Sequence, residues 1–165
     1  MPELLWAPWR MAYVSKPQEG GTGNIFVDLP AAGDDAKFLI LHRGKEAFVI
    51  MNAYPYTSGH LLVAPFRAVA TIEEMTDSEL LECQKLIVRA MGWLRKTHGP
   101  QGFNVGANIG PASGAGIPVH VHWHIVPRWT GDTNFMTTIS DVRVIPQSLD
   151  EAYAKIKAVV DADAG

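Results

Sequence analysis

Val119-His120-Val121-His122-Trp123-His124-Ile125-Val126-Pro127-Arg128 places a histidine at every second position from 120 to 124, with an apolar, β-prone residue between each pair. Strict alternation of this kind predicts a half-buried strand. Residues i, i+2 and i+4 of a strand share a face, so His120, His122 and His124 are expected on one side. Val121, Trp123 and Ile125 then turn to the core, and Pro127 is expected to end the ladder. Neighbouring imidazoles start roughly 6–7 Å apart at Cα, from the rise of a strand. Just upstream, Ala112-Ser113-Gly114-Ala115-Gly116-Ile117 is a loop of small residues able to bring backbone N–H groups close to an anion.

A single histidine on a strand face is ordinarily solvated or hydrogen-bonded. Half of the chain's six histidines are spent on this one face, beside a glycine-rich loop. Two chemistries suit that arrangement. Neutral imidazoles can hold a metal, but no cysteine lies near, and the closest acids are Asp132 and Asp141. Attack of an imidazole on phosphorus fits better. It needs one neutral ring in line, a flanking ring to handle a proton, and donors for the phosphate oxygens.

His-Val-His-Trp-His-Ile-Val resembles the signature of the histidine triad family, in which histidines alternate with apolar residues and two apolar residues follow. The resemblance extends over nearly the whole chain. Leu5-Trp6-Ala7-Pro8-Trp9-Arg10, Phe48-Val49-Ile50-Met51-Asn52, Gly59-His60-Leu61-Leu62-Val63, Gly102-Phe103-Asn104-Val105-Gly106 and Pro127–Phe135 are all similar to segments of bacterial members. The bacterial branch similar to diadenosine tetraphosphate phosphorylases and hydrolases fits best.

Composition agrees. At 165 residues the chain is expected to form one domain, 1–165, with 1–23 as an N-terminal arm and linker. It is 47% hydrophobic and 19% charged, as globular proteins are. A net charge of −3 argues against a nucleic-acid coat or a membrane-surface role. The single Cys83 excludes an intramolecular disulfide framework and suggests a reducing, cytoplasmic compartment. No apolar run reaches membrane-spanning length, and the first residues do not read as a signal peptide.

Residues 37–42 and 47–52 are two apolar runs joined by Arg43-Gly44-Lys45-Glu46, a hairpin pattern. His60-Leu61-Leu62-Val63-Ala64 predicts a third strand ended by Pro65. Thr76-Asp77-Ser78-Glu79 is a capping box, and Leu80, Cys83, Leu86 or Ile87, Met91 and Leu94 follow at helical spacing until Gly99-Pro100. Residues 102–109 predict the strand before the small-residue loop. Ser148-Leu149-Asp150-Glu151 opens a C-terminal helix over Ala152, Ile156 and Val160. The expected fold is therefore α+β, an antiparallel sheet with one long helix and a C-terminal helix. Trp6, Trp9, Met11 and Tyr13 make the N-terminal arm too aromatic to float free.

The resemblance implies the roles. The middle histidine, His122, is the expected nucleophile toward the α-phosphorus of a nucleotide, with His124 and His120 completing the catalytic set. Uridylyl transferases of the family carry Gln at the third position; His124 favours water or phosphate as acceptor. Asn108, Gly114, Ala115, Gly116 and Ile117 are expected on the phosphates. Gly116 and Ile117 replace the Gln and hydroxyl residue of eukaryotic hydrolases. Asn52 falls where relatives hold the ribose, and Phe26, Leu41 and Ile50 are expected to line the base. Arg128 and Arg67 are weaker candidates for steering phosphates. Many relatives also bind structural zinc through two cysteines, a later histidine and the first triad histidine. Here Asn24, Val27 and Ala68 stand at the first three, so neither zinc nor another cofactor is expected. A divalent cation accompanying the polyphosphate is compatible with this. Members are usually homodimers, and part of residues 76–98 is expected in the interface. The leading substrate is a dinucleoside polyphosphate with adenine favoured; the alternatives are a nucleoside phosphoramidate, or a nucleotide-binding sensor with slow turnover.

Overall fold

The computed structural model describes residues 22–132, 145 and 147–163. The aromatic arm and most of the linker expected over 1–23, together with the end of the Pro127–Phe135 segment, lie outside the described residues. Strands β1 (Ile40–Arg43), β2 (Ala47–Met51), β3 (Leu61–Pro65), β4 (Gly102–Ala107) and β5 (Trp123–Arg128) form one antiparallel sheet in the order β1-β2-β3-β5-β4. Among the described residues three α-helices accompany it: α1 (Ile25–Ala31), α2 (Asp77–His98) and α3 (Leu149–Asp163). The fold is α+β, as expected.

The termini of the two long helices follow the sequence closely. The Thr76 hydroxyl accepts from Glu79 N–H while the Glu79 carboxylate accepts from Thr76 N–H, so two orphan donors at the start of α2 are satisfied. Gly99 closes α2 in the left-handed region, at φ 57°. Ser148 and Glu151 make the same reciprocal pair at α3. Both helices cover one face of the sheet. Ala47, Val49, Leu61, Val63, Val121, Trp123 and Ile125 meet Cys83, Leu86, Trp93, Leu94, Ile156 and Val160 there in the main core. Gly59 sits in this packing with φ +77°; a Cβ on it would lie 2.9 Å from Leu94 Cδ2. Only glycine meets both demands.

Helix α1 was not expected. Its sequence contains Pro30 and lacks a long apolar period, yet Asn24 caps it by accepting from Phe26 N–H. The cap residue was its one local signal. Phe26 from α1 joins Ile40, Phe48, Ile50, Leu62 and Ala64 in a smaller apolar cluster on the other face of the sheet.

The histidine stretch departs from the expected single strand. β5 begins only at Trp123, so His120 and His122 precede it. Pro65 explains this. Continuing the β3–β5 register places Pro65 opposite Val121, and proline has no N–H to give. The Pro65 carbonyl instead accepts from the His120 ring at 2.9 Å, while Val121 N–H donates to the Val69 carbonyl. The alternation survives without the ladder, with Val121, Trp123 and Ile125 all buried in the main core. Pro127 does not end β5 but pairs with Phe103 inside it. Its missing N–H faces the β3 side, past the last β3–β5 pair at Leu61 and Ile125, so no rung is lost there. Pro65, expected to follow β3, is likewise its last residue.

Candidate active site

The rings of His120 and His122 are held by backbone carbonyls, and this fixes their protons. His120 Nε2–H donates to Pro65 O at 2.9 Å, leaving Nδ1 as an acceptor; Asn24 Nδ2 reaches that atom at 3.0 Å. His122 Nδ1–H donates to His120 O at 2.8 Å. The neutral His122 ring therefore presents Nε2 with its lone pair bare. Burial lowers both pKa values below the ordinary 6.5, opposed in each case by the hydrogen bond to a carbonyl. His122 is neutral at pH 7, the state a nucleophile requires. Both ring nitrogens of His120 are engaged, and no group of metal-ligating side chains assembles among the described residues. The residues at the position of the relatives' zinc do not fit such an ion.

His124 is oriented by a fourth histidine. Tyr56 N–H donates to His60 Nδ1 at 3.1 Å, so the neutral His60 ring carries its proton on Nε2 and gives it to His124 Nδ1 at 3.0 Å. With Nδ1 accepting, a neutral His124 bears its proton on Nε2. The Tyr56 ring stacks on His124 with centroids 5.8 Å apart and an interplanar angle of 10°. His122 and His124 centroids are 5.0 Å apart. A ring with a bare Nε2 and a ring with its proton on Nε2 thus stand side by side. His60 is fully buried. It appears in the sequence only as part of a similar segment, 60 residues from the triad, and no spacing rule singles it out.

The remaining expected site residues divide. Phe26 lies against the triad, 5.2 Å from the His120 ring and 4.5 Å from that of His122. Ile50 belongs to the same apolar cluster, and Ile117 packs against it from the loop. Leu41 does not join them. It is buried in the main core on the helix-covered face, because a register irregularity between Ile40 and His42 leaves Ile40 on the triad side. Asn52 lies beside the site, but its amide is turned inward, with Oδ1 accepting from Tyr54 N–H and Nδ2 3.3 Å from His60 Nδ1. Gly114 takes φ +77° after a short 3₁₀ turn; Gly114 and Gly116 are exposed, and Asn108, Ala115 and Ile117 half-buried. Arg67 and Arg128 are committed elsewhere. Arg67 pairs with Glu79 at 2.7 Å, and Arg128 forks onto Asp132 and also reaches Asn104.

Known proteins resemble this chain in sequence and in fold. The chain is 38% identical over 154 residues to the AP-4-A phosphorylase of Mycobacterium tuberculosis, covering 89% of this chain and 78% of that protein. It is 32% identical over 93 residues to an asymmetrical bis(5'-nucleosyl)-tetraphosphatase of Schizosaccharomyces pombe, covering 56% of this chain and 50% of that one. A zinc-bound histidine triad family protein of Mycobacterium smegmatis has the same fold, with a TM-score of 0.68 at 20% identity over 85% of this chain and 94% of that chain. The HIT domain itself matches residues 35–131, which include β1 to β5 and all four histidines of the site. By sequence, by fold and by its set of histidines, the chain belongs to the HIT family of nucleotidyl hydrolases and transferases.

Proposed function

We propose that the protein cleaves dinucleoside polyphosphates of the diadenosine tetraphosphate kind. The observation that carries this reading is the bare Nε2 of His122, neutral at pH 7 and beside the protonated face of His124. In the first displacement His122 Nε2 attacks the α-phosphorus, the bridging P–O bond breaks, and the nucleotide leaves on that oxygen. His124, through Nε2–H, protonates the departing oxygen. In the second displacement the acceptor attacks the nucleotidyl-histidine and restores His122. The loop Gly114–Ile117 and Asn108 supply phosphate donors, while Phe26 and Ile50 form the apolar side of the base site.

Resemblance to a phosphorylase supports phosphate as the acceptor. Incubating the protein with diadenosine tetraphosphate, with and without inorganic phosphate, decides it. ADP and ATP formed only with phosphate is the expected result. AMP and ATP formed equally well without phosphate would make the protein a hydrolase, and AMP released only from an AMP–amine conjugate would remove the polyphosphate reading. A trapped nucleotidyl group on His122 distinguishes an enzyme from a binding protein.

Three further proposals accompany this reading. The protein works without structural zinc, because Asn24 and Pro65 already occupy both ring nitrogens of His120; one zinc per purified chain by elemental analysis would contradict that. It acts as a homodimer through part of residues 76–98, where Leu81 and Val88 lie 55% and 68% exposed on α2. Sedimentation at micromolar concentration is expected to give twice the 18.0 kDa of one chain. It resides in the cytoplasm, where the buried Cys83 stays a thiol; secretion of the full-length tagged protein would oppose this.

A further inference from the structure

Asn24 stands two hydrogen bonds away from the nucleophilic ring. It is buried, at 7% exposure, in front of α1. Its amide orientation is not ambiguous, because Phe26 N–H must point at an acceptor, which makes the capping atom Oδ1. The other atom, 3.0 Å from His120 Nδ1, is therefore the NH₂ donor. That assignment requires a bare Nδ1 on His120. Pro65 O independently requires a proton on Nε2 of the same ring. Two fixed backbone groups, approached from opposite ends, thus give one tautomer. The His120 carbonyl then receives His122 Nδ1–H, which points the bare Nε2 of His122 away from it. Phe26, placed by the same cap, lies on the His122 ring at 4.5 Å.

We infer that Asn24 is a positioning residue for the nucleophile, its amide keeping the His120 proton on Nε2 and so fixing the carbonyl that orients His122. This rests on His122 being the nucleophile. Asp is as good a helix cap as Asn, and it is isosteric, but it offers His120 Nδ1 an acceptor in place of a donor. A role confined to starting α1 is satisfied by either residue. A role in proton placement is not.

The experiment compares wild type with Asn24→Asp and Asn24→Ser, reading the ¹⁵N ring signals of His120 and the steady-state kinetics on diadenosine tetraphosphate. In wild type at neutral pH, His120 is expected to show Nε2 protonated and Nδ1 bare. In Asn24→Asp, the Nδ1 signal should move to that of a protonated nitrogen. There kcat should fall about tenfold, as small misplacements of reacting groups do, with KM changed by less than about threefold. Asn24→Ser keeps a cap but cannot reach His120; its kcat should also fall while its melting temperature stays near wild type. A folded Asn24→Asp protein with wild-type kcat, or with Nδ1 still bare, overturns the inference. The ring signals need no substrate. If wild type leaves diadenosine tetraphosphate uncleaved, the proposed function fails while the proton assignment of His120 is still decided.

Discussion

The two faces of the sheet use burial for different ends, although the same residues 120–125 supply both. On the helix-covered face, Val121, Trp123 and Ile125 join a large cluster of apolar side chains, and burial there yields stability in proportion to area. On the other face, His120 and His122 are almost as deeply buried as those residues, beside the small cluster around Phe26. Burial there yields little stability. It depresses the histidine pKa values, and the partners found by both nitrogens of His120 and by Nδ1 of His122 set where each proton sits. One face is made by side-chain volume, the other by hydrogen-bond direction.

Substitutions separate these roles. The largest effect is expected from His122→Ala, which should lower turnover at least about a thousandfold because it removes the proposed nucleophile. Its melting temperature should change little, since the triad face bears little of the core; activity within tenfold of wild type would falsify the nucleophile assignment. Trp123→Ala, one residue along but on the other face, should do the opposite. Losing this buried ring is expected to cost about 3–5 kcal/mol in denaturant unfolding, with residual folded protein still active. If both substitutions harm stability alike, the contrast between the faces is wrong.

His60→Ala removes the donor that orients His124 without touching the nucleophile. A drop of about 10- to 100-fold in kcat is expected, the size usual when a histidine loses its orienting partner. A loss confined to KM would instead assign His60 to binding. The smallest effect concerns pH. Burial lowers the folded-state pKa of His42, His98, His120 and His122 below 6.5. The unfolded chain then binds more protons just below that pH, so stability is complete above about 6.5 and falls as the pH drops toward the folded values. Melting temperature should decline by a few degrees from pH 7.5 to 5.5. Glu79, held at about 2 chiefly by its hydrogen bonds with Arg67, stays charged throughout that window and does not contribute. His122→Ala should shrink the decline, and an unchanged decline would remove its buried ring from the balance.

Much of this was readable in the chain. Alternation marked the triad and told Val121, Trp123 and Ile125 from the histidines, because a strand's period of two needs no tertiary information. The capping boxes at Thr76 and Ser148 gave both long helices, since each is a local hydrogen-bond pattern. Family resemblance supplied the roles proposed for His122 and the loop. What only the tertiary structure decided were contacts between residues distant in sequence. Pro65 withholds a rung from Val121 and so delays β5, and a local irregularity in β1 sends Leu41 to the wrong face for a base. His60 and Asn24 reach His124 and His120 across 64 and 96 residues. Neither contact is marked by local propensity, because a hydrogen-bond partner is chosen by position in space, and that position exists only once the sheet has formed.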